Sequence, residues 1–219
     1  MSLNPQSILS LPHRDHRILE LIKQCKVLSV EQVRAVLFNF KSGYRKANAR
    51  LLALQRKKLI NRGRALSERS YVYYINRPRQ IDHQLGLNWV FVWMHKRPWT
   101  RIIEWEYTPD YGMLIPDAEV TLFNAITEKN QTMFVEFDRD TTIFDKIQLY
   151  NDFYESGCYQ DAEWAQGPNA QLPKVLIVTI NHARMQYIIK MINSKNRNGI
   201  RFRVEMLDEI RTDSTCKLY

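Results

Sequence analysis

LQRKKLINRGRALSERSYVYYI, residues 54–75, places two short β-type runs on either side of a basic turn. Leu59-Ile60-Asn61-Arg62 and Tyr71-Val72-Tyr73-Tyr74-Ile75 supply the β-branched and aromatic residues of strands, and Gly63 to Arg69 supplies the loop chemistry between them. The stretch predicts a β-hairpin. Upstream of it the apolar spacing becomes helical. Ile18, Leu21, Ile22 and Cys25 lie on one face of a helix over Asp15 to Lys26. Ser29, with Gln32 three residues later, has the form of a capping box. It opens a second helix that runs to about Phe38 on Val30, Val33, Val36 and Leu37. After the polar turn Lys41-Ser42-Gly43, a third helix from about Tyr44 to Lys57 buries Ala47, Leu51 and Leu54. Its opposite face shows Arg45, Lys46, Asn48, Ala49 and Arg50.

Three helices followed by a hairpin resemble the winged helix-turn-helix domains of bacterial DNA-binding proteins, with LQRKKLI (54–60) as the junction from recognition helix to wing. The resemblance implies a third helix in the major groove, where Arg45, Lys46, Asn48 and Arg50 reach base edges or phosphates. Arg62, Arg64 and Arg69 on the hairpin then meet flanking backbone. Charge agrees with this reading. The chain carries +9 in total, yet residues 1–82 hold 17 Lys and Arg against five Asp and Glu, and residues 83–219 hold 15 against 18. The excess positive charge is confined to the first third, the footprint of a polyanion-binding module.

The polar segment 76–82 is the natural linker, giving an N-terminal domain over 1–78 and a C-terminal domain over 83–219. His83 to Met94 (HQLGLNWVFVWM) is a helix candidate, although Val90-Phe91-Val92 also suits a strand. Strands follow at Ile102–Tyr107, Ala118–Phe123 and Met133–Phe137, and then a helix from Ile143 to Ser156. A buried strand at Val175–Ile180, a helix at Ala183–Ile192 and an alternating strand at Phe202–Leu207 complete the order. This predicts an α+β chain whose second domain is a mixed sheet with helices on both faces. Trp89, Trp93, Trp99 and Trp105 are expected in its packing.

Asp117 opens one strand, and Glu136 and Asp138 end the next on a common face. Three such carboxylates would make an oxygen-rich site for Mg²⁺ or Mn²⁺. In phosphodiester hydrolysis a metal of this kind activates water and stabilises developing charge. The element order and the run Pro116-Asp117 … Glu136-Phe137-Asp138 resemble the PD-(D/E)XK nuclease superfamily. The resemblance implies Asp117 and Glu136 as metal-holding acids. The motif Lys falls at position 138, which here is Asp, and Lys146 on the following helix is the candidate substitute. A tyrosine nucleophile at Tyr150 would call for a His-hydrophobe-His metal motif, which the five His do not form. Tyr150 instead reads as a packing residue whose hydroxyl finds a partner.

The N-terminal module, the PDA segment, FVEFDRDT (134–141) and KIQLYNDFY (146–154) together resemble the plasmid replication-relaxation family over residues 14 to 180 or so. The residues that carry this are Glu136, Asp138, Arg139, Thr141, Lys146 and Tyr150. The resemblance implies double-stranded DNA binding in the initiation or control of plasmid or phage replication, with replication proteins as partners, and the winged-helix resemblance implies a homodimer reading paired half-sites. Two alternatives share the N-terminal chemistry: a Mg²⁺-dependent endonuclease targeted by the winged helix, and a transcriptional repressor whose second domain is not catalytic.

Composition restricts the remaining classes. With 45% hydrophobic residues, 25% charged, seven Gly and eight Pro in 219 residues, the chain has globular rather than disordered composition. No apolar run is long enough for a membrane-spanning helix, and the first residues lack a signal-peptide pattern. Three widely spaced Cys make neither a disulfide framework nor a zinc site. A cytoplasmic location is the expectation.

Overall fold

Ile18, Leu21, Ile22 and Cys25 turn one face of helix α1 (His13–Cys25) into the interior, as their spacing requires. A computed structural model describes residues 11–140, 144–166 and 172–215. The chain forms two compact units. One runs up to Val92 and takes in the chain from Asp213, and the other is Trp93–Thr212. The division falls inside a helix rather than in segment 76–82.

In the first unit α1 leads into strand β1 (Val27–Ser29), helix α2 (Val30–Leu37) and helix α3 (Gly43–Arg56), followed by strands β2 (Asn61–Gly63) and β3 (Val72–Tyr74). The expected capping box is present. The Ser29 hydroxyl accepts from Gln32 N at 3.2 Å, and Gln32 Oε1 accepts from Ser29 N at 3.0 Å, satisfying two of the donors a helix start leaves open. Ala47, Leu51 and Leu54 form the buried stripe of α3, whereas in α2 Val36 and Leu37 are only half-buried and Ala35 takes their place. Gly43 begins α3 against the preceding turn so closely that a Cβ there would sit 1.8 Å from the Phe38 carbonyl oxygen.

The hairpin is antiparallel, with Asn61 opposite Tyr74 and Gly63 opposite Val72. Val27-Leu28, which the periodicity left without an element, add a third strand on the other side of β3, in the order β1-β3-β2. Helix α4 (Ile81–His95) resolves the ambiguity at 90–92 in favour of helix. Leu85, Leu87, Trp89, Val90, Phe91 and Val92 are all buried, so this stretch of α4 is enclosed on every side. Its fully buried Asn88 is paired, donating to Cys25 O at 3.0 Å and also to Val27 O.

The second unit is built on strands β4 (Thr100–Tyr107), β5 (Ala118–Asn124), β6 (Lys129–Asp138), β7 (Lys174–Thr179) and β8 (Phe202–Met206), side by side in that order. The pairs β4/β5 and β5/β6 are antiparallel, and β6/β7 and β7/β8 are parallel. The parallel pairs need crossovers, which helices α5 (Lys146–Ser156) and α6 (His182–Lys195) supply. Helix α7 (Leu207–Thr215) follows β8. Ile147, Tyr150 and Phe153 of α5 and Ile188 of α6 pack on Phe134, Val175 and Ile177 of the sheet. The fold is therefore mixed α+β, with N-terminal helices and a C-terminal mixed sheet. The start expected for α5 at Ile143 lies outside the described residues.

Among the tryptophans the packing expectation fails once. Trp89, Trp93 and Trp105 are buried, but Trp99 is 68% exposed. No helix of the described residues is long and apolar enough to cross a membrane.

Candidate functional site

Two groups of residues carry chemistry, one in each unit. On the first, Ala47, Leu51 and Leu54 fix which way α3 faces, and that phase leaves Arg45 and Lys46 exposed with Asn48 half-buried. Arg50, expected at a DNA contact, is already engaged within the unit. Its guanidinium forms a two-pronged pair with Asp15 of α1, Nε donating to Oδ1 at 2.7 Å and Nη2 to Oδ2. Asp15 is 1% exposed, so Arg50 serves as the partner of a buried carboxylate. That hydrogen bond outweighs the effect of burial and raises the Arg50 pKa further.

The hairpin arginines are exposed as expected. Arg62 and Arg64 both lie over the Tyr71 ring, at 4.3 and 3.8 Å from its centroid. Arg64 Nη1 also donates to the Arg69 carbonyl at 3.1 Å. Stacking on the ring and bonding to the backbone limit the freedom of these long side chains. The β2–β3 connection is tied down as well, since Ser67 N donates to Asp82 at 2.6 Å and Trp89 Nε1 donates to Glu68 at 2.9 Å.

On the second unit, Ala118 pairs with Val135, which sets Asp117 beside Glu136 at the strand ends. Asp117 Oδ2 accepts from Phe137 N at 2.8 Å. Glu136 is 2% exposed. The Tyr150 hydroxyl donates to its Oε1 at 2.9 Å, and Lys146 Nζ lies 3.0 Å from its Oε2. Lys146 also donates to the Ile115 carbonyl at 3.2 Å. Lys146 and Tyr150, one helical turn apart on α5, thus grip the same carboxylate. The structure brings together Asp117, Glu136 and Lys146, the three residues singled out as catalytic candidates.

The electrostatics follow from burial. Loss of solvent, aided by the negative charge of Asp117, pushes Glu136 up to about 8, while Lys146 and Tyr150 oppose the shift. Burial works to lower the Lys146 ammonium, but the carboxylates of Glu136 and Asp117 outweigh it and raise its pKa. Tyr150 is held well above its ordinary value, first by burial and then by the adjacent Glu136.

Asp138, expected as a third metal ligand, is engaged elsewhere. Arg184 of α6 donates to it through Nε at 2.6 Å and Nη2 at 3.0 Å, and also pairs with Asp140 at 3.3 Å. Alternation does set Glu136 and Asp138 on one face, but α5 supplies the cation for the first and α6 for the second. Among the described residues no group of three His, Cys, Asp or Glu is disposed to hold a metal ion. Asp117 and Glu136 remain as two neighbouring strand-end carboxylates. Thr141, part of the E-x-D-R-x-T run, lies outside the described residues.

Sequence reasoning missed Asp15, Tyr71 and Arg184. Asp15 and Arg184 act through partners distant in sequence, 35 residues away for Asp15–Arg50 and 46 for Asp138–Arg184, which no local pattern signals, whereas Tyr71 meets Arg62 and Arg64 within the hairpin. No family model, curated protein or solved structure matches the chain.

Proposed function

We propose that the protein binds double-stranded DNA through its N-terminal unit, in the manner of a winged helix, and acts in the replication of a plasmid or phage or in its control. The observation that carries the reading is the pairing of two exposed basic elements in one unit: Arg45 and Lys46 on α3, and Arg62, Arg64 and Arg69 on the hairpin. Helices α1 to α3 with a three-stranded antiparallel sheet support it, because such an arrangement offers a helix narrow enough for the major groove and a ribbon beside it. The assignment to plasmid or phage replication rests on the replication-relaxation resemblance.

The test is fluorescence anisotropy with duplex DNA across a salt series. Arg45→Ala with Lys46→Ala should weaken binding at every salt concentration. Arg64→Ala with Arg69→Ala should lower the log–log salt slope by about 0.9 for each phosphate that is no longer neutralised. An unchanged slope in the second variant would remove the hairpin from the interface.

A second reading is favoured by the 3.0 Å approach of Lys146 to Glu136 beside Asp117. It gives the second unit a PD-(D/E)XK-like nuclease centre whose cation comes from α5. The antiparallel β4-β5-β6 followed by the α5 crossover to a parallel β7 supports this arrangement. Asp117 and Glu136 would hold the metal, which supplies water activation and charge stabilisation when bound. Lys146 is placed to offset negative charge at the same centre. Nicking of supercoiled plasmid with Mn²⁺ that is lost on Glu136→Ala and on Lys146→Ala supports this reading. An intact plasmid together with an intact gel shift leaves DNA binding as the activity.

A further inference from the structure

Trp99 is out of keeping with its residue type in two respects. Its side chain is 68% exposed, and its backbone is in the left-handed region at φ 65°, which bulky L residues avoid. Backbone strain of this kind persists where the surrounding structure enforces it, and it concentrates at functional positions. Here the Trp99 carbonyl accepts from Ala125 N at 2.8 Å, pinning the residue to the β5–β6 turn. In that turn Ile126 is 72% exposed.

The surroundings are mainly cationic, with Glu128 of the turn as an exposed acid beside them. His95-Lys-Arg-Pro-Trp-Thr-Arg101 holds three Lys and Arg and no acid, in the part of the chain where acids outnumber bases. Arg97, Arg101 and Lys129 are exposed. Lys129 lies at the same end of the sheet, because Asn124 is the register partner of both Thr100 and Lys129. Arg101 carries its guanidinium over the Phe123 ring at 5.7 Å. Such stacking uses the flat face of the group, whereas phosphate is recognised through its in-plane N–H donors. Asp117 is at the opposite end of β5, roughly 20 Å away at the rise of a strand, so this patch is separate from the acidic centre.

We propose that Trp99, with Arg97, Arg101 and Lys129, is a binding site for single-stranded DNA on the second unit. The indole stacks on an unpaired base and the cations follow the backbone. An exposed ring among cations is the combination that holds single strands, since every base offers a face to stack on. In a duplex those faces are covered by neighbouring bases, and a ring reaches them only by unstacking a step. The proposal does not depend on duplex binding by the N-terminal unit.

The experiment uses the full chain carrying Arg45→Ala and Lys46→Ala, which reduces binding by the first unit, and a labelled oligo-dT of about 12 nucleotides. Adding Trp99→Ala should weaken binding about tenfold or more, and Trp99→Phe, which keeps a ring, should cost less. Arg101→Ala should reduce the salt dependence. Binding by Trp99→Ala within twofold of the parent overturns the proposal, as does an equal loss on duplex, which would make the patch a duplex contact. If Trp99→Ala fails to fold, Trp99→Phe and Arg101→Ala decide, and unaltered oligo-dT binding by both overturns it. Duplex binding, measured beside these on the protein without the Arg45 and Lys46 changes, reports separately on the N-terminal reading.

Discussion

Lys146 Nζ stands 3.0 Å from Glu136 Oε2, so the buried strand carboxylate takes its cation from the following helix. The relationship decides how the centre responds to pH. Glu136 is pushed up to about 8, above the ordinary carboxylate value it regains on unfolding. Between those two values the folded protein binds more protons than the unfolded chain. Stability from this group is therefore fully present below the unfolded pKa and lost as pH rises through the folded one. Glu136→Gln removes the titration. In denaturant unfolding from pH 5 to 9, wild type should lose stability relative to Glu136→Gln by a few kcal/mol at most. Parallel curves for the two proteins would contradict the raised pKa.

Arg50 separates folding from recognition. Replacing it with Ala leaves the Asp15 carboxylate, 1% exposed, without its partner. Removing one member of a buried pair costs about 3–5 kcal/mol. The cost here falls nearer 2 kcal/mol, because the Arg50 side chain keeps 38% exposure and its charge is partly screened. Arg50→Ala should lower the denaturation midpoint, and Asp15→Asn with Arg50→Ala should recover part of the loss. Arg45→Ala should leave the midpoint unchanged. A fully stable Arg50→Ala protein with weakened DNA affinity would return Arg50 to the interface.

These outcomes also mark what the sequence could and could not reveal. Helical spacing in Ile18–Cys25 and Ala47–Leu54, and the Ser29–Gln32 box, were legible because their cause is local. Strand β1 was not, since three residues buried on both sides show no alternation. The approach of Asp117 to Glu136 was legible in strand spacing, which register then made side by side, and Lys146 only as a basic residue on the following helix. Asp15–Arg50 and Asp138–Arg184 join elements distant along the chain, and neither partner's neighbours announce the pairing. Trp99 was misjudged because burial is the common fate of an indole, and the turn that exposes it has no apolar period to read.

Gly43 has a steric role that outweighs helix propensity. Ala is ordinarily favoured over Gly in a helix by about 1 kcal/mol. At this position a Cβ would sit 1.8 Å from the Phe38 carbonyl oxygen and 2.9 Å from its carbon, both backbone atoms. The α2–α3 turn would have to move, as in overpacked cores, at a cost of roughly 1–3 kcal/mol or more. Gly43→Ala should therefore lower the melting temperature by several degrees. A neutral or stabilising result would mean that the turn relaxes freely.

Tyr71 tests preorganisation apart from charge. Its ring lies under both Arg62 and Arg64, so Tyr71→Ala frees two side chains without removing a cation. Ordering them on binding would then cost about 0.5–1.5 kcal/mol each. Duplex affinity should fall severalfold while the salt slope stays at the wild-type value. Arg62→Ala with Arg64→Ala, in contrast, should lower the slope by up to about 1.8. A slope that drops in Tyr71→Ala would show that the ring positions the charges themselves over phosphates.

Asp138→Lys would place a lysine where the PD-(D/E)XK resemblance expects one, and the geometry says it should harm the protein. Arg184, 10% exposed at its side chain, donates to both Asp138 oxygens. An ammonium introduced there faces a guanidinium with most of its solvent removed and takes away the carboxylate that satisfied it. Breaking the buried pair costs on the order of 3 kcal/mol, and like-charge repulsion adds to it. Asp138→Lys should thus be clearly destabilised and should gain no metal-dependent cleavage. Asp138→Lys with Arg184→Glu restores opposite charges, so it should recover stability beyond the sum of the two single changes. A stable, more active Asp138→Lys protein would mean that Arg184 yields readily, and that Lys146 does not fill the place of the strand lysine.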